Sequence, residues 1–147
     1  MSTLEQLIHR FETQPEKHMS LLLDYAKKVK PLPEALRNHG LFQDESCKTP
    51  FYLHSDIDDK RQLRVYVDAL PDSLLMWAFG GILQELLWEE NIDLALKIPK
   101  DLHRRLGLDV SLGLARAATL GVMILKMQSD INEQLKNDLG GSLAKPS

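Results

Sequence analysis

The sequence predicts an α+β domain in which helices precede and follow a small antiparallel sheet. Apolar residues recur with a helical period over residues 4–29, alternate one by one over residues 51–69, and return to the helical period from residue 74. A period of 3.6 puts apolar side chains on one face of a helix, and a period of two puts them on one face of a strand. Helices segregated on either side of a group of strands are typical of the α+β class.

Two helices are predicted before the strands. Ser2 and Glu5 have the spacing of a capping box, which predicts the start of the first helix. A second helix follows Thr13 and ends before Pro31, because proline lacks the amide hydrogen that a helix interior requires. A short helical turn is predicted over residues 34–37. The buried stripe of the second helix is predicted to consist of Met19, Leu22, Leu23, Ala26 and Val29.

The sheet is predicted from two alternating runs. Residues 51–57 and 63–69 each have one apolar and one polar face, and the polar residues 58–61 join them. This arrangement predicts an antiparallel hairpin. A third strand is predicted around residues 41–42.

Helices are predicted again from residue 74. Asp72 is a suitable N-cap for a helix over residues 74–88, and shorter helices are predicted over 91–97 and 101–106. The last helix is predicted over residues 111–137, with an apolar face that includes Ala115, Ala118, Val122 and Leu125. Residues 1–139 are predicted to form one domain, and residues 140–147 a disordered tail.

Composition excludes several classes of function. The net charge of −3 and the pI near 5.9 argue against a nucleic-acid-binding protein. No apolar run reaches the ~20 residues of a membrane helix, and the N-terminus lacks the order of a secretory signal. Neither a His-x-x-x-His nor a Cys-x-x-Cys spacing occurs, so no metal site is predicted. The single cysteine cannot form an internal disulfide, and we expect a soluble protein of the cytoplasm.

That cysteine, Cys47, lies in the polar stretch of residues 43–50. A cysteine kept for packing would more often lie in an apolar run, because a free cysteine behaves as a small hydrophobe. The pattern predicts a loop with an accessible thiol, where thiolate chemistry can occur. Lys48 would lower the pKa of this thiol, whereas Asp44 and Glu45 would raise it, so the sequence predicts no net shift.

Several segments resemble one known family over residues 4–137. They are the second helix with its exit Pro31-Leu32-Pro33, the cysteine before the aromatic strand start Phe51-Tyr52-Leu53, the segment Pro71-Asp72-Ser73, and the region from Leu106 to Arg116. On these residues the chain resembles the SufE family, the sulfur-acceptor partners of pyridoxal-phosphate-dependent cysteine desulfurases. Ser46 stands where that family has glycine, and Thr49 keeps a hydroxyl where the family has serine.

The resemblance implies that Cys47 accepts persulfide sulfur from a cysteine desulfurase and stimulates that enzyme for iron–sulfur cluster assembly. It implies that Arg116, Asp72, Lys48 and Thr49 bind the partner or support the cysteine loop. The chain itself is expected to be no enzyme and to hold no cofactor, and an iron–sulfur scaffold is a further expected partner.

Two alternatives stay open. The first is a silent adaptor that docks on a desulfurase without accepting sulfur. The second is a hydrolase that pairs Cys47 with His39 or His54, the two histidines that flank it in the sequence.

Overall fold

The computed structural model describes residues 3–33, 42–44 and 47–144, and for residues 42–44, 47–50 and 138–144 it describes the backbone. The helices are α1 (Leu4–Thr13), α2 (His18–Lys28), α3 (Leu74–Leu87), α4 (Ile92–Leu96), α5 (Leu102–Arg105), α6 (Leu108–Leu112) and α7 (Leu114–Ala144). The strands are β1 (Phe42–Asp44), β2 (Cys47–Ile57), β3 (Gln62–Ala69) and β4 (Glu90–Asn91). A 3₁₀ turn over Pro15–Lys17 joins α1 to α2. The predicted α+β class is confirmed.

The described strands form one antiparallel sheet in the order β1-β2-β3-β4. The predicted hairpin is confirmed, with β2 and β3 paired from Phe51 opposite Ala69 to Ile57 opposite Leu63. The predicted third strand corresponds to β1, which among the described strands is paired only with β2. The predicted helical turn over residues 34–37 lies outside the described residues. The inward positions of the hairpin are the odd ones, and those fully or almost fully buried are Phe51, Leu53, Ser55, Leu63, Val65 and Val67.

The core lies between this sheet and the long helices, with α3 against β3 and α7 against β2. Helix α2 packs on α3 at very short range, and the contact is made at Gly81. A Cβ atom at Gly81 would lie 2.8 Å from the carbonyl carbon of Tyr25 and closer still to its oxygen. Only glycine permits this approach of the two backbones.

The N-terminal helices differ in detail from the prediction. The capping box is formed by Thr3 and Gln6, one residue later than predicted. Helix α2 turns His18, Leu22 and Tyr25 into the core, whereas Met19 and Leu23, predicted to be buried, are 49% and 41% exposed. His18 occupies a core position because both ring nitrogens are hydrogen-bonded, to Ser111 Oγ and to the carbonyl oxygen of Phe11.

The last predicted helix is two helices separated at Gly113. Gly113 has a φ of +87°, which favours glycine and ends α6 before α7 begins. Of the residues predicted to form its apolar face, Ala115 and Leu125 are exposed, whereas Ala118 and Val122 are half-buried and Val122 packs against the core. The buried residues of α7 are Ala117, Thr119, Leu120, Gly121, Met123, Ile124, Met127 and Ile131.

The backbone of α7 is helical to Ala144, where the sequence predicted a disordered tail from residue 140. Extending an existing helix by one residue is far easier than starting a helix, so low-propensity residues such as Gly140 do not by themselves end it. Residues 145–147 lie outside the described part of the chain.

Ser55 is a buried polar residue of the core whose contribution to stability can be tested. Its hydroxyl is fully buried and has no hydrogen-bond partner among the described residues, while its carbonyl oxygen accepts a 2.6 Å bond from Gln134 Nε2. We expect Ser55→Ala to raise the free energy of unfolding by about 1 kcal/mol, because it removes a desolvated polar group and leaves the backbone bond in place. Urea denaturation would measure this. A clear loss of stability would contradict the assignment of Ser55 as an unsatisfied core residue.

Candidate functional site

Cys47 is the first residue of β2, and its Cα atom is paired with that of Asp44 in β1. The prediction that Cys47 lies in a loop is therefore wrong for its backbone. The sequence could not indicate this, because the pairing depends on a strand of only three residues. Residues 45 and 46, which separate the two strands, lie outside the described residues.

Cys47 lies at the end of the sheet that faces the start of α3. The last pair between β2 and β3 is Phe51 with Ala69, and Cys47 precedes Phe51 by four residues, or about 13 Å of strand. Beyond Ala69 the chain enters the turn at residues 70–73. The cysteine backbone and this turn therefore lie at the same end of the hairpin.

The turn at residues 70–73 explains why the capping prediction for Asp72 is wrong. The Ser73 amide donates to the carbonyl oxygen of Leu70 at 2.9 Å, with Pro71 at the second turn position that proline favours. The N-cap of α3 is consequently Ser73, whose side chain makes no capping bond. Asp72 is exposed and makes no hydrogen bond or ion pair to any residue within the described ranges.

A groove of about 650 Å³ opens beside this turn, where α2, α6, α7 and the start of α3 meet. It brings together two of the residues that the sequence singled out, Asp72 and Arg116. Lys48 and Thr49 are part of β2, of which the structure describes only the backbone at those positions. The groove is lined by Met19, Leu70, Asp72, Ser73, Leu74, Leu75, Met76, Ser111, Leu112, Arg116 and Thr119.

Ser111 in this groove is hydrogen-bonded to His18 and to the Gly107 carbonyl oxygen, but other polar groups of the groove have no partner among the described residues. Arg116 is exposed in the first turn of α7 and forms no ion pair with a described residue. Thr119 is only 8% exposed, and its hydroxyl has no hydrogen bond within the described part of the chain. The first turn of α3 adds amide groups without a side-chain cap. The groove therefore presents donors to a second molecule.

The rim of the groove is apolar. Met19 and Leu70 line it and are 49% and 44% exposed, and Val110 and Leu114, close in sequence to other lining residues, are 93% and 63% exposed. Apolar side chains around a few unpaired polar groups are typical of a protein-binding surface. Sequence reasoning missed Thr119 and Met19, because each lies in a helical apolar pattern that predicts burial in the core.

The Cys–His alternative finds no support in the described residues. His54 follows Cys47 by seven positions in the same strand, so about 23 Å of extended backbone separates them. His39 lies outside the described residues. Elsewhere in β2, burial raises the pKa of the Tyr52 phenol, and the carboxylate of Asp130 raises it further.

The described residues also lack two other kinds of site. They contain no cluster of His, Cys, Asp and Glu side chains that could hold a metal ion. None of the helices described is both long and apolar enough to cross a membrane.

Comparisons with known proteins agree with the resemblance noted from the sequence. Two uncharacterised SufE-like proteins, from two strains of Mycobacterium tuberculosis, are 25% identical over 122 residues, which is 83% of this chain and 85% of each relative. The solution structure of a hypothetical protein from Thermus thermophilus superposes with a TM-score of 0.77 at 29% identity, covering 90% of this chain and 96% of that one. Residues 5–131 match the family model described as "SufE: Fe-S metabolism associated domain". The chain is therefore a member of the SufE family.

Proposed function

We propose that this protein accepts a sulfur atom on Cys47 from a pyridoxal-phosphate-dependent cysteine desulfurase, stimulates that enzyme, and hands the sulfur on for iron–sulfur cluster assembly. The observation that carries the proposal is the position of the chain's one cysteine. It begins β2 at the end of the sheet that adjoins a groove with unpaired polar groups, in a chain of the SufE family. A free thiol carrier suits the cytoplasm, where thiols stay reduced.

The transfer step is a thiol exchange. The Cys47 thiolate attacks the outer sulfur of the persulfide on the desulfurase cysteine, and a new S–S bond forms on Cys47. The S–S bond of the donor breaks, and the donor cysteine leaves as a thiolate. The transferred sulfur keeps its proton, so the products are one thiolate and one persulfide, and no external oxidant or reductant takes part. With no other cysteine in the chain, the Cys47 persulfide cannot collapse into an internal disulfide.

The groove next to the turn at residues 70–73, at the same end of the hairpin as Cys47, supplies the docking surface in this proposal. The Arg116 guanidinium can pair with a carboxylate of the desulfurase, and its lack of an ion pair within the described residues leaves its charge available. Asp72, on the same groove, can pair with a cation. The exposed Met19 and Leu70 add apolar area that a docked partner would cover.

The proposal is tested by titrating the protein into the cysteine desulfurase of the organism that encodes it, with cysteine as substrate, and measuring alanine formation. We expect alanine formation to rise and saturate, because the acceptor removes the persulfide that otherwise blocks the next turnover. A desulfurase rate that stays unchanged up to a large excess of the protein would contradict the proposed stimulation.

Arg116→Ala tests the groove within the same assay. We expect the half-saturating concentration of the protein to rise by about tenfold, because an interfacial charge pair is lost while Cys47 is kept. The matched control is Lys97→Ala, which removes one exposed positive charge outside the groove. Equal effects of the two substitutions would contradict a specific role for Arg116.

A further inference from the structure

The groove beside the turn at residues 70–73 contains two opposite charges that are not paired with each other. Asp72 and Arg116 both line it, and neither forms an ion pair or a hydrogen bond with a residue that the structure describes. A ligand that carries both a positive and a negative charge can pair with each of them at once. Charge complementarity therefore favours a zwitterion in this groove.

A buried hydroxyl opens onto the same groove. Thr119 is 8% exposed, and its hydroxyl has no hydrogen-bond partner among the described residues. In the described part of the chain, the unpaired side-chain atom that is fully enclosed is Ser55 Oγ, so the unpaired Thr119 Oγ1 reaches open space. That space is the groove, which Thr119 lines. Because burial removes the hydration of a hydroxyl, a ligand atom that pairs with Thr119 Oγ1 would be stabilised there.

The start of α3 adds two further donors to the lining of the groove. The amides of Leu74 and Leu75, the first two residues of α3, donate to no residue within the described ranges, and Ser73 supplies no side-chain cap. They lie at the positive end of a helix of 14 residues, which favours an anionic group. In α7, Thr119 follows Arg116 by three positions, so their side chains are neighbours on one face of the helix. Amide, hydroxyl and guanidinium donors together suit a carboxylate.

The rest of the groove is apolar. Its volume of about 650 Å³ lies within the range of small-molecule sites, which are mostly apolar with a few placed polar groups. Ser111 is already hydrogen-bonded to His18 and to the Gly107 carbonyl oxygen. A fitting ligand therefore has a carboxylate, an ammonium group and an apolar side chain. The apolar lining consists of Met19, Leu70, Leu74, Leu75, Met76 and Leu112.

We propose that this groove binds a free α-amino acid with an apolar side chain. Arg116, the Thr119 hydroxyl and the first two amides of α3 donate to the carboxylate of the amino acid, and its ammonium group pairs with Asp72. The site itself is independent of the proposed function. Because the same groove is the proposed docking surface, a bound amino acid competes with the desulfurase, and this consequence rests on the proposed function.

The test of the site uses the isotope-labelled protein alone and follows the backbone amide signals of Leu74, Leu75, Arg116 and Thr119 by NMR. L-Leucine is the probe. Its matched analogues are isocaproate, which lacks the ammonium group, and isoamylamine, which lacks the carboxylate. We expect saturable shifts with leucine and binding about tenfold weaker with each analogue, because each loses the partner of one charged group. No saturable shift up to about 50 mM leucine, or analogues that bind as tightly as leucine, would overturn the proposal.

Two substitutions assign the two ends of the ligand. Thr119→Val keeps the side-chain volume and removes the hydroxyl, so we expect leucine and isocaproate both to bind about tenfold more weakly. Asp72→Asn removes the charge that pairs with the ammonium group, so leucine alone should bind about tenfold more weakly. The matched control is Asp59→Asn, an exposed carboxylate in the hairpin turn at the other end of the sheet, which should bind leucine as the wild-type protein does.

The Asp72 result decides the proposal even if Thr119→Val does not fold, because Asp72 is exposed and its substitution leaves the core intact. Leucine binding that is equal in Asp72→Asn and in the wild-type protein would overturn the assignment of a zwitterion.

The consequence for docking is tested in the desulfurase assay, with the desulfurase alone in the same leucine as the control. At leucine about ten times its dissociation constant, we expect the half-saturating concentration of the protein to rise about tenfold. Bound leucine with an unchanged half-saturating concentration would overturn the competition. Failure of the proposed function is distinct, because the wild-type protein would then fail to stimulate the desulfurase without leucine, while leucine would still bind.

Discussion

Gly81→Ala is expected to lower the free energy of unfolding by about 3 kcal/mol, because the added methyl group would overlap the backbone carbonyl of Tyr25. The obstacle is backbone in a packed helix, so no side-chain rotation relieves it, and α2 and α3 must move apart. Alanine favours a helix interior over glycine by about 1 kcal/mol, which offsets only part of this cost. Urea denaturation monitored by circular dichroism measures the difference.

Gly80→Ala is the matched control for this prediction. Its added methyl group would also be crowded, but the nearest atoms belong to the Val67 side chain, the closest at 2.9 Å. The nearest of these atoms is the Val67 Cβ, which rotation of the side chain does not move, but the overlap is shallower than the one with the Tyr25 carbonyl, so we expect a smaller loss at Gly80 than at Gly81. A larger loss at Gly80, or no loss at Gly81, would contradict the close packing of α2 on α3.

Cys47→Ser is expected to abolish sulfur loading completely while leaving the fold intact. A hydroxyl at this position cannot form the S–S bond that holds the transferred sulfur, and at neutral pH it supplies almost no nucleophilic anion. The substitution changes one atom, and we expect the urea midpoint to stay close to that of the wild-type protein. The measurement is alanine formation by the desulfurase across a titration of the variant.

The outcome of that titration separates sulfur acceptance from simple docking. Loss of stimulation in Cys47→Ser agrees with the proposed transfer step. Full stimulation by Cys47→Ser would instead favour the silent adaptor, which changes the desulfurase by binding alone. Arg116→Ala should weaken stimulation whether the protein accepts sulfur or only docks. Arg116→Ala therefore tests the docking groove, and Cys47→Ser tests sulfur transfer.

The sequence predicted the sheet well because its signal is local and regular. Alternation over residues 51–69 determines which side chains of the hairpin face the core, and a slip of one residue would expose all of them. The inward positions found in β2 and β3 are those that the alternation indicates, from Phe51 to Val67. Cys47, which the sequence predicted to lie in a loop before this hairpin, is instead the first residue of β2.

The helices were harder to predict, because more than one face of a helix can be apolar. Helix α2 has two faces that could be buried, one with Met19 and Leu23 and one with His18 and Tyr25. The face with His18 and Tyr25 lies in the core, because the polar atoms of both side chains are hydrogen-bonded. Such partners come from distant parts of the chain, Ser111 and Glu85. Sequence periodicity contains no information about them.

The groove could be predicted only in part. Asp72 and Arg116 were singled out through the family resemblance, and the structure places both on the groove. The role of Asp72 as an N-cap was wrong because Pro71 favours a turn that ends on Ser73 and makes Ser73 the cap.

The most direct test of the central claim is the intact mass of the protein after incubation with the desulfurase and cysteine, followed by peptide mapping without reductant. The account predicts a gain of one sulfur atom, confined to the peptide that contains Cys47 and removed by a thiol reductant, as a persulfide should be. An unchanged mass, under conditions in which the desulfurase itself carries a persulfide, would contradict it.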